Sequence, residues 1–156
     1  MPRRSHPSQQ QQRTIVDENA RPDEVNSKIK ALTVQSTPIL ILVYGRHCFH
    51  CHEFQGTWND IADAVESRTA LKTLTMEASA LNYNNGKSDA AGGLVNALAQ
   101  QVHGVPYIAV RHVDGSIDNF HGERSMGSIL KFVEASLKSK SKARRHGALS
   151  KKSNKN

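Results

Sequence analysis

The sequence predicts an α/β domain, with a central mixed sheet and helices on both faces. Three observations predict it. The run Ile39-Leu40-Ile41-Leu42-Val43-Tyr44 is apolar without a break, as in a central strand covered on both sides. Segments of helical period alternate along the chain with segments of strand character. Asp114-Gly115 stands between two short strand-like runs and reads as a hairpin turn, which adds an antiparallel pair to the sheet.

Each element follows in order. Residues 1–22 are rich in Pro, Gln and Arg without periodicity and read as a disordered arm. After Pro22, Asp23 and Glu24 open a helix in which Val25, Ile29 and Leu32 recur at i, i+4 and i+7. The strand Ile39–Tyr44 follows. A second helix carries Phe54, Trp58, Ile61, Ala62 and Val65 on one stripe, with Trp58 packing it on the sheet. Leu71 to Met76 alternates weakly and reads as a strand. Residues 78–92 are small, polar and Gly/Asn-bearing and read as a loop. Leu94, Val95, Leu98 and Val102 make a short third helix. Tyr107 to His112 and Ile117 to Phe120 are the two arms of the hairpin. Met126, Ile129, Leu130, Val133 and Leu137 make a last amphipathic helix. The first two strands, joined through a helix, should be parallel with a right-handed crossover. The domain is expected over 23–138, with a basic disordered tail over 139–156.

A chain of 156 residues suits one domain with a real core, and its 37% apolar content is low for a wholly folded chain. Its net charge is +7. Seven of the 21 Lys and Arg, and none of the 14 Asp and Glu, fall in 139–156, so residues 1–138 carry 14 of each sign. The excess charge therefore belongs to the tail and does not describe the domain surface. The segment MPRRSHPSQQQQ has no apolar run and no secretory character, and its prolines and Gln run argue against an amphipathic transit helix. No run approaches membrane-spanning length. The expected location is the cytoplasm, with the nucleus or a virion as alternatives.

The stretch Arg46-His47-Cys48-Phe49-His50-Cys51-His52-Glu53-Phe54 holds both cysteines and three of the eight histidines. Two cysteines cannot staple a domain of this size, so a CxxC pair in an otherwise cysteine-free chain reads as chemistry. Cys48 falls where the strand turns into the helix. Free N–H groups and the positive helix end favour thiolate at that position. Cys51 lies one turn deeper, where it would be more buried. A spacing of three puts both sulfurs on one helix side, close enough to bond. The same stretch also admits a metal: Cys48, Cys51 and His52 share a helix side and His50 is near, with His103 and His121 as lone distant ligands. A tetrahedral zinc site needs a fourth ligand and usually a second pair, and no second CxxC or HxxxH exists. Dithiol chemistry, an inert scaffold and a metal clip stay open on the residues alone.

The order of these features resembles the thioredoxin family: a strand, CxxC at a helix start, then G-V-P-Y before a hairpin with Asp-Gly, then F-H-G and an amphipathic helix. The likeness covers about residues 24–138. It implies a thioredoxin fold and a thiol–disulfide oxidoreductase that acts on protein substrates without a cofactor. It implies that Cys48 attacks and Cys51 resolves, and that Pro106 is cis and faces the disulfide. Val105 would pair with an extended substrate segment, and Phe49 would lie in the substrate surface. Gly104 and Gly122 match glycines of the pattern. The departures are specific. His47 stands where the family carries Trp, Leu42 stands where it carries a buried Asp, and Phe49-His50 replaces Gly-Pro. A histidine before the second cysteine resembles protein disulfide isomerases and bacterial disulfide oxidases. At His50 it would stabilise the Cys48 thiolate and make the disulfide a stronger oxidant. His47 and His52 read as solvated positions near the helix start. A compact chain of this kind with low-complexity ends also resembles small redox proteins of large DNA viruses, where a non-catalytic module in an assembly is the alternative. The basic tail is either a solubilising end or a contact for a polyanion or a larger assembly.

Overall fold

Residues 13–83 and 90–153 are described by the computed structural model, except for the side chains of 90–92 and 142–153. In chain order the elements are β1 (Arg13–Val16), α1 (Pro22–Thr33), β2 (Ile39–Tyr44), α2 (Phe49–Arg68), β3 (Lys72–Glu77), a 3-10 turn (Ala78–Asn82), α3 (Ala90–Gln101), β4 (Tyr107–Arg111), β5 (Ile117–Asn119) and α4 (Met126–Ser153). The five strands form one sheet in the order β1-β3-β2-β4-β5. β2 is central. It pairs parallel with β3 and antiparallel with β4, and β4 returns antiparallel as β5. The tight turn between β4 and β5 is closed by Gly115 at φ 91°, a backbone region that a side chain would disfavour.

The unbroken apolarity of β2 has the expected cause, because its side chains alternate between two cores. Ile39, Ile41 and Val43 pack with Val25, Ile29 and Leu32 of α1 and Leu94, Val95 and Leu98 of α3. Leu40 and Leu42 pack with Phe54, Trp58, Ile61 and Val65 of α2 and Ile129 and Val133 of α4. Each fully buried side chain of this size contributes roughly 1.5–3 kcal/mol, and two cores on one strand fix its register against slippage.

Three expectations are corrected. The arm expected over 1–22 contains strand β1, whose partner is β3 in parallel register from Arg13↔Thr73 to Val16↔Met76. Four residues with one fully buried side chain are too short for a periodic signal; tertiary contacts hold the strand. The Arg13 guanidinium donates to Asp63 and Glu66 of α2 at 2.6 and 2.9 Å, and the Lys28 ammonium donates to the Ile15 carbonyl at 2.9 Å. Residues 1–12 of that arm lie outside the described residues. The loop expected over 78–92 holds the 3-10 turn at its start and the first turn of α3 at its end, and its centre, 84–89, also lies outside them. The tail expected over 139–156 continues α4 as helix to Ser153. Lys, Arg, Ala and Leu there are good helix formers and no proline interrupts them, so local propensity favours helix across this segment.

Candidate functional site

The site is made where β2 ends and α2 begins. Cys48 is the N-cap of α2, with extended backbone at φ −91° and ψ 114°. Its sulfur accepts the Cys51 N–H at 3.2 Å, the bond an N-cap oxygen usually makes. Cys48 and Cys51 are joined as a disulfide, with their Cα atoms 5.2 Å apart. Cys48 is half-buried and Cys51 is 7% exposed. The Cys51 sulfur faces the Gly45 N–H at 3.5 Å. The two sulfurs are therefore unequal in access, and the one closer to solvent sits at the positive end of a helix dipole.

The segment Val105-Pro106, which leads into β4, reaches this pair through Val105. The Val105–Pro106 peptide is cis, and the Val105 carbonyl oxygen lies 3.8 Å from the Cys48 sulfur. Gly45 makes the approach close: a Cβ there would stand 3.3 Å from both the Cys48 Cβ and a Val105 methyl. Phe49 projects into solvent at 70% exposure, edge-on to the His50 ring at 5.8 Å. His50 is also exposed, its Nδ1 3.5 Å from a Glu53 carboxylate oxygen. Cys48, Phe49, His50 and Cys51 thus stand together at the start of α2, and Val105, joined by a cis peptide to Pro106, lies against the Cys48 sulfur.

The remaining histidines of the motif hold the loop. Arg46 Nε donates to His47 Nε2 at 2.9 Å, and His52 Nε2 donates to the Arg46 carbonyl at 2.8 Å. Glu77, a buried carboxylate at the end of β3, accepts the Arg46 N–H at 3.3 Å and the Ser79 N–H at 2.8 Å; the Ser79 hydroxyl donates to it as well. Burial pushes the Glu77 carboxyl up, but the Ser79 and Arg46 hydrogen bonds and the Arg46 charge outweigh it and hold it below the ordinary range. Tyr107, behind Pro106, is pushed up to about 12 by burial, and its hydroxyl donates to Asn119.

Sequence reasoning missed a cavity of about 300 Å³ on the Cys51 side of the disulfide. It is lined among others by Leu42, Cys51, His52, Trp58 and Thr75. Leu42 is 5% exposed and pairs across the sheet with Thr75. The Trp58 indole donates to the Thr75 hydroxyl at 2.9 Å, so the polar atoms of that wall are partly satisfied from within. The wall is drawn from β1, the loop after it, β2, α2 and β3, and no single stretch of sequence signals it. Among the described residues no group of three or more His, Cys, Asp or Glu is arranged to hold a metal ion. No helix among them is long and apolar enough to cross a membrane.

No family model matches the chain, and no curated protein matches it. Solved structures do. The J-Trx1 fragment of ERdj5 aligns at TM-score 0.53 and 14% identity, over 81% of this chain and 52% of that one. This chain therefore spans about half the length of that fragment. The first thioredoxin domain of mouse protein disulfide-isomerase A4 aligns at TM-score 0.55 and 15% identity, over 78% and 72% of the two chains. The Trx4 domain of ERdj5 aligns at TM-score 0.52 and 11% identity, over 82% and 97%. At this identity the likeness concerns the fold: the mixed five-stranded sheet with four helices is the thioredoxin fold.

Proposed function

We propose that this protein exchanges dithiols and disulfides with protein substrates through Cys48 and Cys51. One observation carries the reading. A half-buried cysteine caps a helix N-terminus, is bonded to a buried partner, and has the Val105 carbonyl within 3.8 Å. In the reduced protein, Cys48 attacks a substrate disulfide; one substrate sulfur leaves as thiolate and the other joins Cys48 in a mixed disulfide. Cys51 then attacks Cys48, the second substrate sulfur leaves, and Cys48–Cys51 re-forms. The substrate gains two electrons and the protein dithiol loses two; the reverse sequence oxidises a substrate dithiol. Val105 and Pro106 line the place where the substrate strand lies, Phe49 adds an apolar contact, and His50 tunes the potential. The basic segment after Lys138 is a separate contact for a polyanion.

The test is capture. Cys51→Ser removes the resolving sulfur, so it should accumulate covalent, reductant-sensitive adducts with a disulfide-containing protein such as insulin, and the unchanged protein should reduce insulin catalytically. Cys48→Ser should capture little. No adducts from either variant would favour an inert scaffold. Adducts from Cys48→Ser alone would reverse the two roles.

A further inference from the structure

Exchange through a mixed disulfide leaves one proton to be placed. While Cys48 holds a substrate, Cys51 is a thiol; its place in the fold, 7% exposed in the disulfide, is one where burial disfavours a charged sulfur. It must lose its proton before it can attack. Leu42, packed in the wall beside it, offers no base.

The cavity next to Cys51 does offer titratable groups: Arg13, Glu18, Tyr44, Arg46 and His52 also line it. Two are cations that cannot accept, and Arg13 is already held by Asp63 and Glu66. The Tyr44 phenol is a donor, kept protonated by burial and by the carboxylates of Glu18, Asp17 and Glu77. Glu77 is occupied by Ser79 and the Arg46 N–H and does not line the cavity. Glu18 and His52 are left. Both are exposed, but their chemistry differs. A solvated carboxylate is a weak base toward a thiol, whereas an imidazole is matched to proton transfer near neutral pH.

The geometry decides the tautomer of His52. Its Nε2 lies 2.8 Å from the Arg46 carbonyl, which can only accept. In the neutral ring the proton is therefore on Nε2, and Nδ1 carries the lone pair. The cavity that Cys51 and His52 both line has room for several waters, at roughly 30 Å³ each, so a proton can travel without direct contact.

Resting on the exchange reading above, we infer that His52 is the base that takes the Cys51 proton across this cavity. The Cys51 S–H proton passes through cavity water to Nδ1. The Cys51 thiolate attacks the Cys48 sulfur, the Cys48–substrate bond breaks, and the substrate leaves as thiolate. The exposed imidazolium then returns its proton to solvent. No further oxidant or reductant is needed, because the substrate disulfide takes the electron pair.

The experiment is single-turnover release of a fluorescent thiol from its mixed disulfide with Cys48, followed against pH. His52→Gln keeps an N–H for the Arg46 carbonyl and removes the base. It should slow release by 10-fold or more and flatten the rise of the rate with pH, while iodoacetamide labels Cys48 at the unchanged rate in a Cys51→Ser background. Glu18→Gln should release at the unchanged rate. Unchanged release from His52→Gln, or slow release from Glu18→Gln alone, would overturn the assignment. Failure of the unsubstituted chain to form the mixed disulfide at all would refute the exchange reading itself, and this inference with it.

Discussion

His50 and Cys48 are two positions apart, with Cys48 at the N-cap and His50 at the second helical position. Among the described residues the His50 ring meets the Phe49 edge and the Glu53 carboxylate. Under the exchange reading proposed above, a hydrogen-bond donor or cation at His50 would stabilise the Cys48 thiolate, and hence the reduced state, over the disulfide. His50→Pro tests this without breaking the helix, because the first turn has no intrahelical partner for the lost N–H. The substitution should raise the Cys48 pKa, read as the midpoint of its alkylation rate against pH. The couple should become more reducing by tens of millivolts, where about 30 mV corresponds to roughly 1.4 kcal/mol. An unchanged midpoint would leave the helix terminus and the Cys51 N–H as the whole source of the effect.

At the scale of elements, two buried junctions hold the sheet to its surroundings. Glu77 ties the end of β3 to the loop before Cys48. His112, 3% exposed at the end of β4, lies 2.8 Å from the Asp118 carboxylate of β5 and 3.0 Å from the Ser136 hydroxyl of α4, which itself donates to Asp118. The Ser136 and His112 hydrogen bonds hold the Asp118 carboxyl below its ordinary value. A carboxyl lowered in the folded state stabilises the fold while ionised. That contribution is complete above the unfolded pKa of about 4 and is lost as pH falls through the folded value. Asp118→Asn should therefore lower the melting temperature at pH 7 by a few degrees. The loss is about 1 kcal/mol, discounted for a side chain that is 43% exposed. The gap from the unchanged protein should close as the pH is taken below 4, and a constant gap would mean that the ionised carboxylate contributes nothing. These junctions were not legible in the sequence. His112 and Asp118 look like ordinary strand and hairpin residues until β4, β5 and α4 meet. The elements themselves were legible where one face repeats over several turns, as in α2, or where burial is continuous, as in β2. β1 was not, since Ile15 and Val16 give two apolar residues and only Val16 is buried. The cysteines announced themselves by spacing, whereas the cavity beside Cys51 is assembled from stretches far apart in the sequence and could not.

For the whole molecule, the charge and the core part company near Lys138. Among the described side chains, Leu137 is the last one packed against the core between α2, α4 and the sheet. Beyond it, Lys140 still bridges to Asp114 at 2.8 Å, on the β4–β5 turn. A truncation that respects the fold therefore ends at Ser141. It removes six Lys and Arg and leaves 15 against 14 Asp and Glu. The shortened chain should melt within a few degrees of the full one and reduce insulin at the same rate, because it keeps every residue of the proposed site and every described residue of both cores. Binding to polyanions should separate the two forms. A helical run of cations with no acid after Glu134 can follow a phosphate or sulfate chain, and release of counterions makes such binding fall steeply with salt. The full chain should be retained on heparin and should bind duplex DNA with an affinity that drops by orders of magnitude between about 50 and 200 mM salt if six or more phosphates are neutralised. The chain ending at Ser141 should elute early and show no such slope. Equal retention of both forms would remove the tail as a polyanion contact and leave it as a helical extension of α4 without that role.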